Sequence, residues 1–470
     1  MKKIHIVATL LTLFSCLALT AQINIGTQFL PEVLQRNKWN SASMQEVNVQ
    51  VNIGSSEAFL GNEFSLNDFL VDIPNTDSQQ VSFENAYNLM DESNLIRVDY
   101  SLDLFNLYIA AQELDMQFGF SYGTRSHTQL SYSRDIFGLI FRGNGAYIGE
   151  AVEIGPSFSS MVYGDLAVSV AKKINDKFQV GGRVHYLNGI FNVTTTRDQL
   201  SIFTSDEYYQ ITLDADYELN ASVPDLDITG SLDSIGISSN LTLPALISPG
   251  GFNGNHGFAL DVAGIFKPTE QLEITAGVNN LGRIGWNNSQ QQFSLNGSFT
   301  YEGITANTNN GEGILENLLD FNFETALDSF GDSFEVDTRE SQRYSTGIPA
   351  RYFASAMYQP VKNLTLGGTV AHETFNGSGH TTIGLYGGLR VDHTISIGLS
   401  FANDTEFGSV FGLHGNLNLA GLQFYGSVEN LAATFDPTRT NTVMSRFGVN
   451  LLFGRWWKQG KNSEGVQTRL

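Results

Sequence analysis

The chain has 470 residues, with 26 Lys and Arg against 48 Asp and Glu, a formal net charge of −22. So large an acidic excess excludes nucleic-acid binding through the net field. Past the N-terminus no segment approaches the roughly 20 continuous apolar residues that a spanning helix requires, so a helical membrane bundle is excluded as well.

The N-terminus, MKKIHIVATLLTLFSCLALTAQ, joins a basic start at Lys2 and Lys3 to an apolar stretch from Ile4 to Leu19 and a small-residue site at Thr20-Ala21. That pattern reads as a secretory signal peptide over residues 1–21, cleaved before Gln22. Cys16, the single cysteine, falls inside it, so the mature chain carries no disulfide. Without Lys2 and Lys3 the balance is 24 basic against 48 acidic residues, −24. Residues 22–42 then precede the first clear strand and read as an ordered lead-in or a lumen plug.

From residue 43 onward one pattern recurs. An alternating strand meets a short polar turn, and an alternating strand returns. The copy DLAVSVAKKINDKFQVGGRVHYL puts Phe178, Val180, Val184 and Tyr186 on one face and Gln179, Gly181, Arg183 and His185 on the other. SFENAYNLMDES reads as a short helix with Ser82 and Glu84 at its start, and Asp135–Phe141 as another. The segment from Tyr301 to Arg343 is acidic, with Ile314, Leu318, Phe323, Leu327 and Phe330 near helical spacing, either an amphipathic helix packed on the rim or a gate or partner surface. The last strand sets Phe447, Val449, Leu451 and Phe453 on one face. Trp456 and Trp457 follow it in a tail over 456–470.

The count is roughly fourteen to sixteen strand candidates, with short turns (INDK, KPTEQ, QPVKN) alternating with long insertions. The expected fold is all-β: a transmembrane antiparallel up-and-down barrel of about fourteen strands over residues 43–455. Its apolar face meets lipid, and its polar face lines a lumen.

Chemistry is sparse. No pair of histidines has HExxH spacing and no G-x-S-x-G elbow occurs, so no catalytic residue, metal site or cofactor is expected. His372 and His380, flanking a loop in AHETFNGSGH, are the best metal candidates and remain weak ones. If the apolar face is outside, Gln179, Arg183, His185, Asp261, Glu273 and His414 face the lumen, as does Gln423. These are the candidate ligand-binding residues, Arg183 being suited to a carboxylate. Their alternative role is an internal polar network that any barrel interior needs. The glycines Gly181, Gly277, Gly367 and Gly398 relieve crowding or permit kinks.

The segments GNGAYIGEAVEIGP, GFALDVAGIFKPTEQLEITAGVNNLGRIGW, PARYFASAMYQPVKNLTLGGTV and FGVNLLFGR resemble an outer-membrane barrel family of Bacteroidota known only as a domain of unknown function. More distantly the layout is similar to the long-chain fatty-acid transporter superfamily, with fourteen strands and an N-terminal plug. That superfamily often carries Asn-Pro-Ala near the plug's end. The counterpart here is Asn40-Ser41-Ala42, without the proline. The resemblance implies a cell outer membrane location, contact with lipid, and passage or binding of a small, hydrophobic molecule. The alternative is a structural barrel that meets a protein partner of a secretion or motility assembly through its acidic loops.

Overall fold

The computed structural model describes residues 25–454 apart from 46, 77, 225–226, 230–235, 239–253, 302–332, 341 and 392–393. The expected signal segment 1–21, the expected amphipathic stretch within 301–343 and the tail with Trp456 and Trp457 therefore lie outside the described residues, wholly or in their main part.

Fourteen antiparallel strands close on themselves. They are β1 (Val49–Asn62), β2 (Ser93–Ala111), β3 (Met116–Ser133), β4 (Ser157–Lys173), β5 (Phe178–Thr204), β6 (His256–Phe266) and β7 (Leu272–Trp286). The second half is β8 (Ala350–Val361), β9 (Leu364–Phe375), β10 (Ser378–Val391), β11 (Ile395–Asp404), β12 (Gly408–Leu419), β13 (Leu422–Val428) and β14 (Thr442–Phe453). Each pairs with its neighbour in sequence, and β1 pairs with both β2 and β14. Closure removes both sheet edges and satisfies the backbone within the wall. No helix among the described residues is long and apolar enough to cross a membrane.

Among the described residues one end carries short turns, at 112–115, 174–177, 267–271, 362–363 and 420–421. Local chemistry closes them. Asn175 Oδ1 accepts the N–H groups of Lys177 and Phe178, both at 2.9 Å. Ala420 and Gly421 adopt φ of 51° and 95°, the left-handed pair that suits a two-residue hairpin. The other end carries the long segments, with two exceptions. The loop expected between His372 and His380 is a tight Asn376-Gly377 turn with φ of 47° and 82°. Residues 405–407 are equally brief. Upper β5 rises past its neighbours and pairs with Ile211–Ser222, which continues into Gln290–Tyr301 and Phe334–Glu340 as a projecting sheet.

The alternation inverts relative to a soluble sheet. Phe258, Leu260 and Val262 are exposed on β6, as are Ile397 and Leu399 on β11. Asp261, Ser396 and Ser400 between them are buried. Parity is not constant along β1: a register shift between Asn52 and Gly54 moves the inward set from Gln50 and Asn52 to Ser55 and Phe59. Strand β7 bulges at Asn279-Asn280, where Leu260 pairs with Leu281 but Val262 with Val278. Asn280 has φ of 58°, and its N–H is held by Asp261 Oδ1 at 2.6 Å.

At the long-loop rim, α2 (Phe83–Leu89) starts as expected at Ser82, whose hydroxyl accepts the Asn85 N–H at 3.1 Å. Glu84 does not complete the cap. It pairs instead with Arg142 at the end of α3 (Asp135–Arg142), with an N–O distance of 2.5 Å. Glu63, just past β1, is partly buried beside Glu406 and Asp91, and burial first, then those two charges, push its carboxyl up to about 7. The folded protein thus keeps a proton that the unfolded chain loses near 4.5. Stability from this group is full below that value, falls as pH rises toward 7 and is flat above. Thermal melts of Glu63→Gln between pH 4 and 8 should lose that part of the decline; a slope equal to the wild type's would contradict it.

Candidate functional site

All the lumen candidates face inward. Arg183, His185, Asp261, Glu273, His414 and Gln423 are buried, and Gln179 is half-buried. What they meet is largely the chain's own N-terminal segment. Residues 25–45 lie inside the barrel, with a 3-10 turn at Gly26–Phe29 and α1 at Arg36–Trp39. Ile25, Phe29, Leu30, Val33, Leu34, Trp39 and Ala42 are all buried.

Two of the strand glycines are explained by this segment. A Cβ on Gly181 would strike the Ser41-Ala42 backbone, and one on Gly367 would strike the Phe29 ring. Gly398 makes room for the wall's own Tyr386, and Gly277 for Val262, Ala263 and Phe353.

Near the short-turn mouth, Arg36 pairs with Glu273, and Lys267 Nζ lies 3.4 Å from the same carboxylate. Gln179 donates to the Ala42 carbonyl. Gln35 and Asn450 exchange amide bonds at 3.0 Å each way, and Gln423 donates to the Glu32 carbonyl at 2.9 Å. Asn40, first residue of the Asn-Ser-Ala triplet, turns the chain by accepting the Ala42 N–H at 3.0 Å. A cavity of about 200 Å³ opens here, where Met44, Val47, Met357 and Leu452 face Arg36, Glu32 and Arg390.

In the middle, Arg183 ties plug to wall. Its Nη2 donates to the Asn37 carbonyl and to Tyr108 Oη, both at 2.9 Å, and Nη1 lies 3.3 Å from Asp261. His185 sits between two carboxylates, Nδ1 at 2.7 Å from Asp165 and Nε2 at 3.2 Å from Asp261. Lys38 of the plug pairs with Asp103, which also holds Arg125 at 3.0 Å. Above them Arg97 binds Asp99 at 2.6 Å and Glu373, and Glu373 holds Arg351 at 2.8 Å.

The charged network exceeds the sequence expectation. Arg97, Asp99, Asp103, Arg125, Glu373 and Arg446 were not singled out, although RVDYSLD places Arg97, Asp99 and Asp103 at alternate positions on β2. Strand parity alone would have found them. Arg36 and Lys38 lie outside any strand, and parity gives no sign of them.

The two metal candidates separate. His372 is exposed on the outer wall, bonded to Thr381 Oγ1 at 2.9 Å, whereas His380 is buried, 2.8 Å from Asp404. Opposite faces of the wall cannot share an ion. Among the described residues no cluster with metal-ligand geometry occurs. A serine, a histidine and a carboxylate do meet, at Ser400, His414 and Glu429. Both Ser400 Oγ (2.8 Å) and Glu429 (3.5 Å) lie on His414 Nε2, however. A proton relay needs the carboxylate on the other ring nitrogen. Gly26 of the plug packs directly on this imidazole.

Buried unpaired polar atoms occur both on the plug and on the wall. Gln28 Nε2, Glu32 Oε2, both side-chain atoms of Asn37, Ser43 Oγ and, on the wall, Asn106 Oδ1 and Asn416 Oδ1 are buried without a hydrogen-bond partner in the protein. Such groups are satisfied by water.

The plug's ion pair offers a direct test. Glu273→Gln should destabilise the protein by about 3–5 kcal/mol, because Arg36 is left buried without its charge partner, whereas the double change Arg36→Met with Glu273→Met should cost much less. Urea unfolding in detergent measures both. Equal losses in the two variants would mean the pair contributes nothing specific.

Three solved structures align over most of the chain. A Pseudomonas aeruginosa FadL homologue is 11% identical, covers 91% of this chain and 96% of its own, and gives a TM-score of 0.41. The Ralstonia pickettii toluene transporter TbuX is 9% identical over 90% and 94%, TM-score 0.41. The Pseudomonas putida toluene transporter TodX is 7% identical over 89% and 91%, TM-score 0.39. The barrel described above stands on this chain's own strand pairing. No curated protein matches the chain. A family model matches residues 42–429, and the chain therefore belongs to the family of unknown function DUF5723.

Proposed function

We propose that the protein is an outer-membrane barrel that binds or passes a small molecule, with residues 25–45 as its movable plug. The outward apolar face supports a lipid surround, since in water such a belt would be an aggregation surface. The turn asymmetry supports short periplasmic turns and long outer loops.

The observation that carries the reading is the plug's attachment. Its first residues pack in an apolar cluster through Ile25, Phe29, Leu30 and Val33, while residues 31–45 are held by two ion pairs and a row of side-chain to backbone bonds beside the packed Trp39 and Ala42. An apolar core resists parting, because each exposed Å² costs about 25 cal/mol. A wet polar interface exchanges its bonds for water bonds at small net cost. The mouth cavity, lined both by Met44, Val47, Met357 and Leu452 and by Arg36, Glu273 and Arg390, suits a solute with apolar and polar parts.

One observation favours the partner reading instead. Loop residues 63–92 contain seven acids and no Lys or Arg. Beside them Leu66, Leu89 and Ile140 are exposed, and the partly exposed Phe83 and Phe141 rings stack at 3.7 Å. An apolar patch with acidic surroundings fits a basic polypeptide partner.

A disulfide tether separates the readings, because the mature chain has no competing cysteine. Asn40 Nδ2 lies 3.5 Å from Thr275 Oγ1, so Asn40→Cys with Thr275→Cys joins plug to β7. In planar bilayers the wild type should show openings, the oxidised pair none, and reduction should restore them. Unchanged openings in the tethered form would refute a moving plug. Absence of openings in both forms would leave the loop surface as the working part.

A further inference from the structure

We infer that the cavity at the short-turn mouth is a binding site for a free α-amino acid with an apolar side chain. The inference rests on the reading of that cavity as the solute's site and names the class of solute.

The cavity measures about 200 Å³. A protein cavity of about 150 Å³ holds benzene, so this one has room for an amino acid the size of leucine. Its lining carries three cations, Arg36, Lys267 and Arg390, and two carboxylates, Glu32 and Glu273. Arg36 and Lys267 are both held by Glu273. Glu32 and Arg390 remain, and among the described residues neither is ion-paired. Glu32 Oε1 accepts the Ser396 hydroxyl and, at 3.5 Å, the Asn416 amide, while Oε2 is buried without a hydrogen-bond partner in the protein. Arg390 spends Nη2 on the Lys362 carbonyl at 3.1 Å. The two charges are near neighbours all the same. Ser396, which holds Glu32, is the direct cross-strand partner of Arg390 between β10 and β11.

A carboxylate short of a cation and a guanidinium short of an anion, on one cavity, call for an occupant that carries both charges close together. The ammonium and carboxylate of an α-amino acid stand on one carbon. Glu32 takes the ammonium, and Arg390 the carboxylate, which its planar fork matches. Gln50, 2% exposed and also in the lining, has its Oε1 buried without a partner and leaves one more acceptor on the same cavity. A plain hydrocarbon would meet none of these groups. Terminal carboxylate and amide groups turn over broad wells, so both oxygens reach the cavity by rotation about the last bond. Water that satisfies them at rest gives way to donors on the solute. Met44, Val47, Met357 and Leu452 are left for the side chain, and contact with them separates leucine from glycine.

The test is equilibrium dialysis of the full-length mature protein, in a non-ionic detergent, against radiolabelled leucine. Saturable binding of one leucine per barrel is expected. Glycine should compete poorly, and so should 3-methylbutylamine and 4-methylpentanoate, which keep the apolar body and one charge each. Arg390→Gln and Glu32→Gln should each weaken binding about tenfold or more, the loss of one charge-assisted hydrogen bond. Arg390→Gln should also bind 3-methylbutylamine as tightly as leucine, which a merely structural loss would not produce. Arg439→Gln, on the exposed rim, should leave binding unchanged. If Glu32→Gln fails to fold, Arg390→Gln, half-buried at the end of β10, carries the test. No saturable leucine binding, a single-charge analogue binding the wild type as tightly as leucine, or full affinity in Arg390→Gln would overturn the assignment. Bilayer openings without leucine binding would overturn it while the small-molecule reading stands. Leucine binding by a barrel without openings would uphold it.

Discussion

A closed sheet with an apolar outside must fill its inside with polar groups, and those groups must then satisfy one another. The rest of this molecule follows from that constraint. The alternation that exposes Val180 and Val184 on β5 necessarily turns Arg183 and His185 inward. A buried charge costs several kcal/mol unless it is paired and hydrogen-bonded. Hence the lumen is a network in which Asp103, Asp261 and Glu373 each serve more than one cation or donor. The plug joins that network instead of covering it. Arg36 and Lys38 supply charges that Glu273 and Asp103 would otherwise lack in part, so the N-terminal segment completes the wall's electrostatics.

The lumen thereby divides by chemistry along its axis. At the short-turn mouth thioether and aliphatic side chains share a cavity with Arg36 and Glu273. In the middle a cavity is lined by cationic and imidazole groups together with the carboxylates Glu57 and Asp165. Toward the rim of β11 and β12, Phe59, Phe407, Val410 and Met444 form an apolar cluster that continues into the plug through Phe29 and Leu30. The plug's first residues are thus anchored by packing and its later residues by ions and hydrogen bonds together with a smaller apolar contact of Trp39 and Ala42 on Ala263, Ile265 and Phe353. Parting the later residues is the cheaper of the two motions.

The sequence showed much of the wall and little of what fills it. A period of two survives any context, so Phe178 to Tyr186 sorted correctly by face, and so did the closing strand from Phe447 to Phe453. Where the period slips, the reading slips with it: the shift at Gly54 and the bulge at Asn280 are set by hydrogen bonds to distant partners. The Asn376-Gly377 turn is legible in the sequence, where Asn-Gly is a strong two-residue hairpin signal, and it replaces the loop expected there. The plug's pairings were not legible. RNKW has no periodicity, and nothing local says that Arg36 meets Glu273 or that Lys38 meets Asp103 across more than sixty residues of chain.

The central claim is that residues 25–45 form a separable unit seated in the lumen by polar bonds. Hydrogen–deuterium exchange of the mature protein in lipid tests it most directly, since it reports the free energy at which each segment opens. The account predicts that amides of 25–45 are protected relative to an unfolded peptide, exchange faster than those of β1 to β14, and that Glu273→Gln speeds residues 31–45 without speeding the strands. Exchange of 25–45 at the same rate as the strands, or with no protection at all, would contradict it.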